Sequence, residues 1–96
     1  TLPDLISTAA YLLKHSGRFY LIYHPFRLAE LIGLLRKSRL EPKRMQFVHS
    51  KMNGEAKMVL VEAVKGSGTW LKISPPLYIY ADDSTYTPEL ITILSQ

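Results

Sequence analysis

Hydrophobic residues recur at helical spacing in two segments of the chain. In residues 3–16, apolar side chains repeat every three or four positions, and Gly17 follows where a helix would stop. Pro25 opens the second segment, residues 25–38, in which four apolar residues fall at positions i, i+3, i+4 and i+7: Leu28, Leu31, Ile32 and Leu35. Both segments are therefore predicted to form amphipathic helices.

Three other segments have the hydrophobic pattern of β-strands. Residues 18–23 form a continuous β-prone apolar run, which is typical of a strand covered on both faces. Residues 43–49 alternate between apolar and polar positions, as expected of a half-exposed edge strand. Residues 57–64 are again nearly continuously apolar, and Asn53 and Gly54 supply the turn before them.

The order of these elements predicts an α/β fold. The β-α-β crossover makes the first two strands parallel, and the short turn makes the third strand antiparallel to the second. Because the third strand is the more buried, it is predicted to lie between the other two, with helices on both faces of the sheet. Residues 1–65 would form this unit, and residues 66–96 would add a C-terminal strand or hairpin and a short helix starting at Thr87. The whole chain, residues 1–96, is then a single partial domain.

Composition excludes several classes of protein. Ninety-six residues suffice for one small domain or a piece of a larger one, and 47% hydrophobic residues argue for a packed core. No cysteine is present, which excludes disulfides, thiolate metal sites and a cysteine nucleophile, and favours the cytoplasm. No apolar run approaches the roughly 20 residues of a membrane span. We expect a soluble protein, and the first residue, Thr1, suggests a fragment of a longer chain.

Charge is distributed unevenly along the chain. Residues 36–57 carry seven basic and two acidic residues, a local net charge of +5, whereas residues 79–96 carry three acidic residues and no basic one. A basic segment of this kind favours attraction to a polyanion such as nucleic acid.

Short motifs spread over nearly all 96 residues resemble one enzyme family. In chain order they are Leu12-Leu13-Lys14, Gly17-Arg18-Phe19, Arg27-Leu28-Ala29-Glu30, Leu40-Glu41-Pro42-Lys43-Arg44, Phe47-Val48-His49, Leu60-Val61-Glu62, Pro75-Pro76-Leu77, Ile79-Tyr80 and Tyr86-Thr87-Pro88-Glu89. Together they resemble the C-terminal half of the tRNA adenine-N(6) methyltransferases, which are Rossmann-like, S-adenosylmethionine-dependent enzymes.

The resemblance implies a parent enzyme that transfers a methyl group from S-adenosylmethionine to the exocyclic amine of an adenine in tRNA. Such transfer depends on proximity and on hydrogen bonding to the amine more than on a strong base. These enzymes hold the cofactor on a glycine-rich loop and the amine with an Asn-Pro-Pro-Tyr type motif, and this chain has neither. We therefore expect no catalytic residue, no bound cofactor and no activity from these 96 residues alone.

The segment from Ser74 to Tyr78 resembles the polar-Pro-Pro-aromatic motif of amino-methyltransferases. It has Leu77 where the aromatic residue should be, and it follows the reversed strand. We interpret it as a stiff polyproline corner rather than as an amine-binding site.

Five side chains at one predicted sheet edge are candidates for binding nucleic acid. Ligands of such sheets lie at the carboxyl ends of parallel strands, where the chain places His24, Arg27, His49, Lys51 and Lys57. These residues could form a cationic rim facing RNA phosphates, or each could be a solvated loop residue. The histidines lack metal-ligand spacing, so no metal site is predicted.

Two further expectations concern partners. A non-catalytic α/β module that binds RNA or a protein partner through the same rim remains an alternative to the methyltransferase. In either case, the strand from Phe19 to Tyr23 would have an unpaired edge, through which the chain is expected to form a homodimer.

Overall fold

The computed structural model describes residues 1–80 of the chain. The helical elements are α1 (Leu2–Leu12), a 3-10 turn (Pro25–Arg27) and α2 (Leu28–Lys37). The strands are β1 (Arg18–Tyr23), β2 (Leu40–His49), β3 (Ala56–Lys65), β4 (Lys72–Ile73) and β5 (Leu77–Tyr78). The predicted short helix at Thr87 lies outside the described residues.

Several element boundaries differ from the sequence prediction, and the predicted helix 25–38 is a 3-10 turn followed by α2, which starts at Leu28. Helix α1 ends at Leu12, because Leu13 is already extended with φ −79° and ψ 141°. Strand β2 begins at Leu40, three residues earlier than predicted, and runs through Pro42, which pairs with Ala63. The pairing register shifts between Pro42 and Arg44, so the proline is tolerated beside a bulge.

The predicted strand order is confirmed. Strand β3 pairs antiparallel with β1 on one side and with β2 on the other, so β1 and β2 are parallel to each other. Val61 of β3 lies opposite Leu21 of β1 and Met45 of β2, which marks the centre of the sheet. The mixed α/β fold predicted from the sequence is therefore present.

The prediction that β2 is an edge strand was wrong. Its second side pairs with β4 and β5, through Arg44 opposite Lys72 and Val48 opposite Leu77. Both short strands run parallel to β2, so within residues 1–80 the C-terminal extension is one interrupted strand and not a hairpin. The alternation that suggested an edge instead reflects the difference between the two faces of the sheet.

Within residues 1–80, the main buried cluster lies on one face of the sheet. Ile6 of α1 and Leu31 of α2 belong to the same buried cluster as Val59 and Val61 of β3. Both helices therefore cover the same face, which corrects the expectation of a helix layer on each face for the part of the chain that is described.

The opposite face of the sheet is open in the described structure. The side chains of Tyr20 and Ile22 are 63% and 62% exposed. Together with Gln46 and Leu60 they line a trough of about 560 Å³. The apolar run in β1 thus does not reflect burial on both faces here. None of the helices formed by residues 1–80 is long and apolar enough to cross a membrane.

Candidate nucleic-acid interface

The five candidate residues lie at one edge of the sheet. His24 directly follows β1, His49 is the last residue of β2, and Lys57 is the second residue of β3. The register brings these strand ends together, since Tyr23 lies opposite Val59 and His49 lies opposite Ala56. Arg27 ends the 3-10 turn and Lys51 lies in the loop between β2 and β3. We call these five residues the basic rim: His24, Arg27, His49, Lys51 and Lys57.

Arg27 is held in place by a carboxylate. Its Nε donates a hydrogen bond to Oε2 of Glu30 at 3.1 Å, and its Nη2 donates to Oε1 at 3.0 Å. The guanidinium carbon also lies 5.5 Å from the ring centre of Tyr23. Two effects of Glu30 raise the pKa of Arg27 above its usual value. The larger is its hydrogen bonding to the guanidinium, and the second is the negative charge of the Glu30 carboxylate. Glu30 offsets the positive charge, so Arg27 orders the turn more than it attracts an anion.

His49 is oriented by the loop that follows it. Its Nδ1 lies 2.8 Å from the carbonyl oxygen of Gly54, and because a carbonyl can only accept, Nδ1 must carry the hydrogen. The ring of Tyr78 on β5 lies 5.4 Å away at an interplanar angle of 48°. Strand β5 therefore contributes an aromatic ring to the rim, a contact that sequence analysis missed.

Phe26 is the second aromatic residue that sequence analysis missed. Its side chain is 84% exposed, and its ring lies 5.4 Å from that of His24 at an interplanar angle of 30°. The His24 ring in turn lies 6.0 Å from Tyr23. Its position in the sequence could have indicated that Phe26 lies at the rim, because it is two residues beyond His24 and just after a parallel strand.

The two rim lysines are exposed to solvent. Lys57 lies near the start of β3, as its second residue, and β3 contacts the 3-10 turn that carries Phe26. Lys51 is in the β2–β3 loop, whose turn is closed by a hydrogen bond from the Gly54 N–H to the Lys51 carbonyl at 3.1 Å. The ends of β1 and β2 and the start of β3 thus bring the cationic groups of the rim to one edge of the sheet.

Gly17 and Gly66 each lie close to another part of the chain. A glycine-rich cofactor loop needs glycines where the backbone approaches a ligand. A Cβ at Gly17 would instead meet the Lys14 carbonyl at 2.8 Å, and a Cβ at Gly66 would meet the His15 ring. These glycines are required by turns of the chain itself. Nor do residues 1–80 contain a group of three or more histidine or carboxylate side chains placed to hold a metal ion.

The Pro-Pro segment lies beside the middle of β2 and not at the rim. Its Pro75 carbonyl accepts a hydrogen bond from Nε2 of Gln46 at 3.0 Å, and the Ser74 N–H donates to the carbonyl of Met45 at 2.8 Å. The segment connects β4 to β5 along β2, so it interrupts one strand and does not turn the chain, which corrects its interpretation as a corner.

Comparison with solved structures identifies the fold. One similar structure is the crystal structure of a predicted O-methyltransferase, protein Atu636 from Agrobacterium tumefaciens, with a TM-score of 0.86 and 27% sequence identity. The chain has a methyltransferase fold. The similarity covers 98% of this chain but 45% of that protein, so the chain spans less than half of its length. No family model and no curated protein matches the chain.

In a sheet of the methyltransferase fold, the carboxyl ends of the parallel strands form the edge at which ligands bind. The basic rim lies at this edge, whereas two other exposed basic residues, Arg36 and Lys37, lie in the last turn of α2. There Arg36 pairs with Glu41 at 3.3 Å, and both cations complement the helix dipole. The rim is therefore a basic surface at the edge where ligands of such sheets bind.

Proposed function

We propose that this chain is the substrate-side, C-terminal portion of an S-adenosylmethionine-dependent methyltransferase that methylates the exocyclic amine of an adenine in tRNA. The observation that carries the proposal is the methyltransferase fold, matched over 98% of the chain at a TM-score of 0.86. The similar protein is described as a predicted O-methyltransferase. We infer a nitrogen atom of adenine as the methyl acceptor from the sequence motifs and not from that comparison.

Adenine in tRNA is favoured by two features of the chain. The short motifs from Leu12 to Glu89 resemble the tRNA adenine-N(6) methyltransferases, and residues 36–57 carry a net charge of +5. A polyanionic substrate is attracted by such a charge, and its phosphates would contact the rim lysines without specifying sequence. The cytoplasm, where tRNA is abundant, also suits a chain without cysteine.

The residues of this chain would bind and orient the RNA. Lys51 and Lys57 would contact phosphates, Arg27 would hold the 3-10 turn through Glu30, and Nε2 of His49 would accept a hydrogen bond from substrate while Nδ1 stays on Gly54. S-adenosylmethionine would supply the methyl group when held by the rest of the enzyme.

The open face of the sheet supports a role within a larger domain. Mixed sheets with β-α-β crossovers are normally covered on both faces. Here Tyr20 and Ile22 are more than half exposed, whereas Phe19 and Leu21 pack against the core. The portion of the fold that this chain does not span would supply the missing cover.

The test is a methylation assay on the full-length protein that contains this chain. It is incubated with methyl-labelled S-adenosylmethionine and unmodified tRNA, and the nucleosides are then separated by mass spectrometry. We expect label in N6-methyladenosine. Label in a 2′-O-methylated nucleoside, or none in tRNA, would contradict the proposed reaction.

Variants of two lysines separate the rim from the general charge of the protein. Lys57→Gln removes a rim cation, and Lys72→Gln removes an exposed cation on β4 as the matched control. When a lysine that binds one phosphate is neutralised, the slope of log affinity against log salt should fall by about 0.7 to 0.9. We expect this change for Lys57→Gln and none for Lys72→Gln.

A non-catalytic α/β module that binds RNA or a protein partner is the second candidate. It is favoured by one observation, the lack of a cofactor loop among the described residues. If the full-length protein binds RNA but transfers no label to any substrate, this second function replaces the first.

A further inference from the structure

Phe26 presents an aromatic face to solvent beside the basic rim. Its side chain is 84% exposed, although burying a phenylalanine side chain contributes about 1.5 to 3 kcal/mol. An isolated exposed apolar residue would need no explanation. Phe26, however, lies three residues beyond the carboxyl end of β1, which is where ligands meet sheets of this type.

The ring is held by an ordered turn. Pro25 fixes one backbone angle, and the Arg27 N–H donates a hydrogen bond to the His24 carbonyl at 3.1 Å. Arg27 is itself fixed by Glu30 and lies over Tyr23. The His24 ring, 5.4 Å from Phe26 and tilted by 30°, extends the aromatic surface. The two rings therefore have a defined position before any ligand binds.

Other exposed aromatic residues lack this combination. Tyr11 is 86% exposed on α1, away from the rim. Trp70 is 73% exposed, but the Lys43 ammonium lies over its ring at 3.7 Å and donates a hydrogen bond to its carbonyl at 2.7 Å. Within residues 1–80, Phe26 is the highly exposed aromatic residue at the cationic edge, whereas the Tyr78 ring beside His49 is partly buried.

We propose that Phe26 and His24 form a platform on which an unpaired base of the RNA stacks, with Lys57 contacting a neighbouring phosphate. The inference rests on the proposed function in that the substrate is RNA. Aromatic rings beside basic groups are the usual means by which proteins hold unpaired bases, because every base has a π-face and every nucleotide a phosphate. The two exposed lysines of the rim, Lys51 and Lys57, distinguish this surface from an apolar docking site for a protein.

The test measures RNA binding by the full-length protein that contains this chain. Two single-stranded RNA 12-mers are used as probes, one of adenosines only and one identical except for a central abasic site. Wild-type protein should bind the intact RNA about tenfold more tightly than the abasic RNA, a difference equal to about 1.4 kcal/mol. The abasic probe keeps the phosphates, so this difference reports stacking.

Three substitutions of Phe26 isolate the aromatic face. Phe26→Ala and Phe26→Leu should both reduce the intact-over-abasic preference to nearly one, because leucine is apolar but has no π-face. Phe26→Trp should retain or increase the preference. Because the side chain is exposed, we expect all three to fold, and thermal melting by circular dichroism verifies it.

Tyr11→Ala is the matched control, since it removes an equally exposed ring outside the rim. If Phe26→Ala has the same affinities for the intact and abasic RNAs as Tyr11→Ala, the platform is excluded, while RNA binding by the protein is still supported. If Phe26→Leu keeps the preference, the contact is merely apolar and the stacking inference fails. If the wild-type protein binds neither probe, RNA as the substrate is itself excluded, and the platform with it.

Discussion

The ammonium group of Lys65, at the end of β3, donates a hydrogen bond to the carbonyl oxygen of Leu13 at 2.7 Å. It also donates to the carbonyl of Ala10. The Ala10 carbonyl belongs to the last turn of α1 and the Leu13 carbonyl to its C-cap, where acceptors lack helical partners and where α1 has no basic residue of its own. A residue 52 positions away in sequence thus caps the helix and joins it to the central strand of the sheet.

Lys65→Met should destabilise the chain by about 2 kcal/mol, because the apolar stem is kept while two charge-assisted hydrogen bonds are removed. Lys72→Met is the control, since Lys72 is exposed on β4. Urea unfolding followed by circular dichroism measures both. Equal midpoints for the two variants would show that Lys65 does not stabilise α1.

Arg39 adopts a backbone conformation that favours glycine. It follows Ser38, the C-cap of α2, and its φ is +63°. Glycine is the usual residue at this position, and a side chain there costs about 1 kcal/mol. Arg39→Gly should therefore be more stable than Arg39→Ala by about that amount, although both remove the same charge. A thermal melt in which the alanine variant is the more stable would contradict this account.

Gly66 lies in the turn that leaves β3, with φ +75°, and packs against His15. An added Cβ would lie 2.4 Å from the His15 ring. Gly66→Ala should lower the free energy of unfolding by about 2 kcal/mol, from backbone strain and from this contact together.

Two further variants separate the causes. In the His15→Ala background the contact is gone, so the Gly66→Ala cost should fall to about 1 kcal/mol, the strain alone. Gly68→Ala serves as the control, because a Cβ there meets nothing within 4 Å. If alanine at position 66 costs no more than alanine at position 68, neither cause operates.

The strand order could be predicted because it depends on the spacing of apolar residues along each segment and on the lengths of the loops between segments. The apolar run of β3 and the short Asn-Gly loop were enough to place it between β1 and β2. Strands β4 and β5 were missed as neighbours of β2, because strands of two residues show no alternation. Hydrophobicity also failed to show which face of the sheet is covered. Ile22 is as apolar as its partly buried neighbour Leu21, but a sequence does not reveal what packs on each side chain.

The position of the candidate site was predictable, and its chemistry only partly so. Parallel strands place their carboxyl ends at one edge, so His24 and His49 could be assigned there. The neutralisation of Arg27 by Glu30, three residues on, depends on side-chain geometry. Phe26 was overlooked because an aromatic residue in a sequence suggests the core, whereas here the 3-10 turn leaves it in water.

The outer edge of β1 leads to the last prediction, a homodimer. In the described structure β1 pairs with β3 alone, so one side of the strand keeps unpaired backbone groups. Such edges pair with other chains unless charged residues prevent it. The 96-residue chain should therefore associate with rising concentration in sedimentation velocity, and Tyr20→Lys should weaken that association. Tyr11→Lys, which adds the same charge on α1, should leave it unchanged. A single monomeric boundary for the unmodified chain at high concentration would exclude pairing through this edge.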